Sequence, residues 1–116
     1  MNMGIDKAIL IFNENTKEYA LTVFNGDHHE VCIDKIDGYD EWQIHEFFGF
    51  TFDIHFDFDE EFSVSIYRRY KYAELYPDTD PDDPYEFTDL NNWINPVIKV
   101  VESDNEFRAL ADELKN

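Results

Sequence analysis

From Phe50 to Asp59 the chain reads FTFDIHFDFD, and this stretch decides the fold. Apolar and polar residues alternate along it, which is the period-two pattern of a strand with one buried face and one polar face. After the pair Glu60–Glu61 the alternation resumes from Phe62 to Ile66. Two alternating segments separated by a short polar turn predict a β-hairpin, and hairpins build mostly antiparallel sheets.

The N-terminal part of the chain predicts a meander of three short strands. We expect these strands at Ala8–Asn13, Glu18–Asn25 and Glu30–Ile36. The dipeptide Asn25-Gly26 between the second and third strands is a strong signal for a tight hairpin turn. The following segment, Glu41 to Phe48, is predicted to be a short helix with Asp40 as its cap and Gly49 just past its end, although its aromatic residues also suit a strand.

The C-terminal part predicts a loop, a strand and a helix. Three prolines punctuate an acidic loop from Tyr76 to Asp89, and a further strand is expected within Trp93–Val101. Ser103 and Glu106 have the spacing of a capping box, so a helix is predicted from Asp104 to Leu114. The fold class is therefore α+β, with a mostly antiparallel sheet built from hairpins and a C-terminal amphipathic helix. The whole chain, residues 1–116, is expected to form a single acidic globular domain.

Charge is the outlying feature of the composition. The chain has 27 Asp and Glu against 9 Lys and Arg, a formal net charge of −18. Hydrophobic residues make up 43 % of the chain and aromatic residues 17 %, so the acidity is not a sign of disorder. A surface of this sign repels nucleic acids and anionic membranes. The composition favours a basic macromolecule as the partner, either a basic DNA-binding protein or a nuclease.

Two groups of residues are the candidates for contacting that partner. The first is the polar face of the strand at residues 50–59, where neighbours two apart lie about 6.7 Å apart, a regular row of anions that resembles the phosphates of a nucleic acid. The second is the acidic loop, where bordering tyrosines offer apolar anchors as well. A solvated strand face and a solvated loop are the alternatives for these charges. The predicted partner-binding residues are Asp53, Asp57, Asp59, Glu60, Glu61, Asp78, Asp80, Asp82, Asp83, Tyr76 and Tyr85.

Other kinds of site have little support. The loop from Asp78 begins like a calcium loop, but Asp83 stands where the sharp turn needs glycine and Asp89 where a bidentate Glu is required. Cys32 is expected to be a small buried apolar residue rather than a nucleophile. No catalytic motif stands out, so we expect neither an enzyme nor a bound metal or cofactor. Without a signal peptide or an apolar run of about 20 residues, a cytoplasmic location with no membrane contact is expected.

In size, aromatic content and density of acids, the chain resembles the small bacterial and phage proteins that mimic DNA. The resemblance extends over the whole chain but has no motif, because this class shares neither a fold nor a sequence signature. It implies an inhibitor that occupies the nucleic-acid-binding face of a basic protein, and within the class it suggests the type that binds the histone-like nucleoid protein HU. The alternative is an immunity protein that neutralises a cognate nuclease toxin, since such proteins are also small and acidic.

Overall fold

The computed structural model describes residues 5–36, 42–59, 61–70, 86–89 and 94–115. The chain divides into two compact units, of which the first combines Met1–Tyr39 with Ile94–Asn116 and the second is Asp40–Trp93. The elements of the described residues are β1 (Lys7–Asn13), β2 (Glu18–Asn25), β3 (His28–Lys35), β4 (Trp42–Phe47), β5 (Phe50–Asp57), β6 (Ser63–Tyr70), β7 (Glu86–Asp89), β8 (Val97–Val101) and α1 (Asp104–Lys115). The prediction of an α+β fold with mostly antiparallel sheets and a C-terminal helix is confirmed.

The first unit contains a four-stranded sheet with the order β3-β2-β1-β8. β1, β2 and β3 are antiparallel neighbours, and Gly26 takes a φ of 61° in the turn between β2 and β3, as the predicted hairpin requires. β8 pairs with β1 in parallel, with Leu10 opposite Ile98. The three predicted N-terminal strands are confirmed to within two residues, whereas the parallel pairing was not predicted.

The C-terminal helix packs on this sheet as its pattern predicts. The Glu106 N–H donates to the Ser103 hydroxyl at 3.4 Å, so the cap lies where the sequence placed it. Asp104 and Glu106 stand in the first turn, where negative charge favours the helix dipole. The helix face forms a buried core with the sheet, made of Ile11, Ala20, Val101, Phe107 and Ala111, with Ile9, Leu110 and Leu114 packed against it.

The second unit contains a sheet with the order β4-β5-β6-β7. The alternation along β5 is confirmed, because Phe52, Ile54 and Phe56 are all fully buried. β6 follows as the second strand of the predicted hairpin, with Ile54 opposite Ile66. The last four residues predicted as acidic loop, Glu86–Asp89, instead form strand β7 against β6. The rest of that loop lies outside the described residues.

The predicted helix at Glu41–Phe48 is wrong, since Trp42–Phe47 is strand β4. Phe48 and Gly49 both have positive φ, 53° and 80°, and they form a two-residue loop that joins β4 to β5. Positive φ at both loop residues is the signature of a type I′ turn, whose twist matches that of paired strands. The predicted cap, Asp40, lies outside the described residues.

Candidate functional site

Negative charge is concentrated in the second unit. Residues 40–93 hold 15 Asp and Glu against 3 Lys and Arg, a net charge of −12 in less than half of the chain. The remaining residues hold 12 against 6, a net charge of −6. Most of the potential that would attract a basic partner therefore comes from the second unit.

The strand register of this unit brings one set of side chains onto one face. Residues opposite each other in paired strands share a face. Trp42 lies opposite His55, while Asp53 lies opposite Ile44 on one side and Tyr67 on the other. This face is opposite the one that carries the buried Phe52, Ile54 and Phe56. We call it the Trp42 face, and it consists of Trp42, Ile44, Asp53, His55, Asp57, Ser63, Ser65 and Tyr67.

An aromatic cluster lies on the Trp42 face. The ring of Trp42 lies 4.7 Å from the ring of His55 and 5.8 Å from that of Tyr67, measured between centroids. Trp42 keeps 51 % of its surface exposed and Ile44 keeps 58 %. Large apolar side chains that are held by neighbours yet exposed are the usual anchors of a protein interface.

Sequence reasoning missed this cluster because it placed Trp42 on a helix. The signal that would have found it is the alternation within β4 itself. Trp42, Ile44 and Glu46 are exposed, whereas Gln43 and His45 between them are partly buried. On a strand, residues two apart share a face, so Trp42 and Ile44 would have been assigned to one surface.

Asp53 does not face water, and the expectation that it did is wrong. It is only 2 % exposed although it lies on the polar side of the β5 alternation. Its direct cross-strand neighbours are Ile44 and Tyr67, two large side chains whose Cβ atoms lie about 5 Å away in such a pairing. A carboxylate covered to this extent cannot contact a partner directly, so Asp53 is removed from the candidate contact set.

The acids at the end of β5 do reach the surface. Asp59 and Glu61 are exposed, and Asp57 is half-buried. The Asp59 N–H donates to the Asp57 carboxylate at 3.0 Å, which fixes that side chain on its own backbone. The ring of Phe62 lies 5.5 Å from that of Phe58, so an aromatic contact anchors the turn that carries these acids. We call Asp57, Asp59 and Glu61 the acidic corner.

The other predicted contact residues cannot be placed. Glu60, Tyr76, Asp78, Asp80, Asp82, Asp83 and Tyr85 lie outside the described residues. Among the residues that are described, no group of three or more His, Cys, Asp and Glu could hold a metal ion. Within the same ranges, no helix is long and apolar enough to cross a membrane.

Cys32 has the electrostatics of a packed thiol. Burial is the main cause that raises its pKa to about 11, and the charge of Asp34 acts in the same direction. Such a thiol holds very little thiolate at neutral pH, whereas a nucleophilic cysteine needs a lowered pKa. Burial likewise raises the pKa of Tyr19.

The acidic corner lies at the turn between β5 and β6, two of the strands that carry the Trp42 face. The second unit therefore presents both exposed apolar anchors and clustered negative charge. This combination can bind a surface that is basic and carries an apolar depression. Comparison with protein-family models, with curated proteins and with solved structures found no match to this chain.

Proposed function

We propose that the protein binds the nucleic-acid-binding surface of a basic DNA-binding protein and competes with DNA for it. The observation that carries the proposal is the concentration of charge, −12 within residues 40–93, on the unit that also presents the Trp42 face. Clustered carboxylates of this density attract the Lys and Arg side chains that otherwise contact phosphates. The first partner to test is a histone-like protein of the HU type.

The rigidity of the acidic corner supports this proposal. The Asp59 N–H donates to the Asp57 carboxylate, which fixes that carboxylate, and the contact between Phe58 and Phe62 anchors the turn. Charges that are already in position lose little conformational freedom on binding, so more of their interaction energy appears as affinity.

A competition assay tests the proposal. Fluorescein-labelled duplex DNA is bound to an HU-type protein, and the acidic protein is added while the anisotropy of the DNA is followed. We expect the anisotropy to fall to that of free DNA, whereas the acidic protein alone leaves it unchanged, because both molecules are polyanions. Direct binding of the acidic protein to DNA at physiological salt would contradict the proposal.

Two matched triple variants test whether competition with DNA depends on the acidic corner. Asp57→Asn, Asp59→Asn and Glu61→Gln together neutralise the acidic corner. The control neutralises three exposed acids of the other unit, Glu30, Asp112 and Glu113, and makes the same change in net charge. We expect the first variant to compete at least about tenfold more weakly and the control to change competition by less than about threefold, because exposed charges that do not contact the partner are largely screened by salt. Equal effects would mean that net charge alone, and not this corner, drives binding.

One observation favours the immunity-protein alternative. Trp42 and Ile44 are both more than half exposed on one face, and such anchors fit a pocket on one cognate protein better than the many surfaces that contact DNA. Under this alternative, a single nuclease is bound tightly and an HU-type protein is not. Titration of the protein against an HU-type protein and against a panel of basic nucleases separates the two functions.

A further inference from the structure

Among the described residues, the outer edge of β8 has no strand partner, because β8 is the last strand in the order β3-β2-β1-β8. The Val101 carbonyl accepts a hydrogen bond at 2.9 Å from the N–H of Glu14, the residue that follows β1. The backbone polar groups of Val101 therefore point towards the β1 side. In a strand these groups alternate sides from one residue to the next. The N–H and C=O groups of Ile98 and Val100 therefore point outward, away from β1.

The side chains of this edge strand are apolar and exposed. Val97 is 52 % exposed, Ile98 42 % and Val100 40 %. Within the strand the charged residue is Lys99, whose ammonium group lies 4.0 Å from the Glu106 carboxylate on α1. An edge strand with unpaired backbone groups and exposed β-branched side chains is a ready template for the addition of another strand.

Negative charge borders the end of the same edge. An open cavity of about 590 Å³ lies beside Val100 and Val101, and three of the residues that line it are Glu14, Glu102 and Glu106. All three glutamates are exposed. Glu14 follows β1 on the inner side of β8, and Glu106 faces the Lys99 ammonium. The three carboxylates still outnumber that one ammonium group, so positive side chains on an added strand would be favoured near this end of β8.

We propose that the outer edge of β8 accepts an extended, lysine- and arginine-rich segment of a partner protein as an added strand. The backbone of the segment pairs with Ile98 and Val100, its apolar side chains cover the exposed valines and isoleucine, and its basic side chains are attracted by the excess of carboxylates at the end of β8. A second copy of this chain is the disfavoured occupant, because two β8 edges would bring two sets of glutamates together in proteins of net charge −18. This surface belongs to the first unit and does not depend on the function of the Trp42 face.

An NMR titration of the full-length ¹⁵N-labelled protein tests the proposal. The probe is a synthetic eight-residue peptide of alternating lysine and valine. The matched peptide replaces alternate valines by proline, so that it keeps the charge but loses backbone donors and the extended pairing. We expect the first peptide to shift the amide signals of residues 97–102 and to bind at least about tenfold more tightly than the proline peptide, because several backbone hydrogen bonds are lost in the latter. Equal binding of the two peptides would overturn strand addition.

Two lysine variants at the opposite edges of one sheet provide the matched pair. Val100→Lys stands on the edge strand β8 and Ile33→Lys on the edge strand β3, and the native side chains are 40 % and 39 % exposed. We expect Val100→Lys to weaken binding of the lysine–valine peptide about tenfold or more, and Ile33→Lys to weaken that binding by less than about threefold. Only the lysine at position 100 would repel the peptide at contact distance. If Val100→Lys does not fold, Val100→Pro is used in its place. Proline removes the N–H of residue 100, which points away from β1 and is not needed for the native sheet. Equal effects at the two edges, or a concentration-dependent dimer that Val100→Lys abolishes, would contradict the proposal.

Discussion

Replacing Trp42 by alanine should weaken partner binding strongly and leave the protein folded. An aromatic side chain has a surface of about 200 Å², and about half of that of Trp42 is exposed. Burial of the exposed half, about 100 Å², in an interface contributes about 2.5 kcal/mol at 25 cal/mol per Å². Loss of that contribution would raise the dissociation constant about 70-fold.

The cost to folding is limited because Trp42 already keeps 51 % of its surface exposed in the folded protein. Its contacts with His55 and Tyr67, at 4.7 and 5.8 Å, are worth about 1 kcal/mol each in such ring pairs. We therefore expect Trp42→Ala to lower the free energy of unfolding by about 2 kcal/mol, which urea denaturation measures directly. The variant should stay folded under the conditions of the binding assay.

The assay is the anisotropy competition against an HU-type protein and labelled DNA. Trp42→Phe keeps an aromatic ring and should recover most of the affinity, whereas Ile33→Ala removes a partly exposed apolar side chain from the other unit and should change it by less than about twofold. If Trp42→Ala competes within about threefold of the unsubstituted protein, the Trp42 face is not the binding surface and the reasoning fails.

Three further predictions concern the fold and need no partner. Phe107→Ala should lower the free energy of unfolding in urea by about 3–5 kcal/mol, because the ring is almost fully buried in the core between α1 and its sheet. Gly49→Ala should lower it by about 1 kcal/mol, because Gly49 has a φ of 80° and no neighbouring atom would clash with the added Cβ. Stability should fall as pH rises from about 9 to 11, because the unfolded chain ionises Cys32 while the folded chain, with a pKa of about 11, still holds the proton. Cys32→Ala should reduce this loss of stability by about 2 kcal/mol. The part of the loss that is due to Tyr19 should remain, because burial raises the pKa of Tyr19 as well.

Each of these has a result that would contradict it. A loss below about 1 kcal/mol for Phe107→Ala would mean that the helix is not packed on its sheet as described. An unchanged or increased stability of Gly49→Ala would rule out the type I′ turn. Identical alkaline profiles for Cys32→Ala and the unsubstituted protein would show that the thiol does not stay protonated in the folded state.

The sequence alone predicts those structural elements that depend on residues close together in the chain. The alternation along residues 50–57 and the N-cap at Ser103 each depend on residues within one strand or one helical turn, and both were predicted correctly. The error at β4 has a local cause too. Glycine just past a helix end and glycine in a type I′ turn both need positive φ, so Gly49 fits either interpretation.

What the sequence could not supply were the non-local pairings. β8 lies next to β1 although more than 80 residues separate Ile98 from Leu10, and no short-range signal marks a parallel pairing of that kind. The candidate site was only partly predictable for the same reason. The alternation of β5 predicts which face carries Asp53, but the residues opposite it, Ile44 and Tyr67, come from adjacent strands, so its burial could not be predicted from β5 alone.

The most direct test of the proposed function is an NMR map of the complex. The ¹⁵N-labelled protein is mixed with an unlabelled HU-type protein, and an excess of duplex DNA is then added. We expect the amide signals of the Trp42 face and the acidic corner to shift or broaden on mixing and to return to their free positions when DNA binds the partner instead. Signals that change only in the first unit, or that stay changed in the presence of DNA, would contradict it.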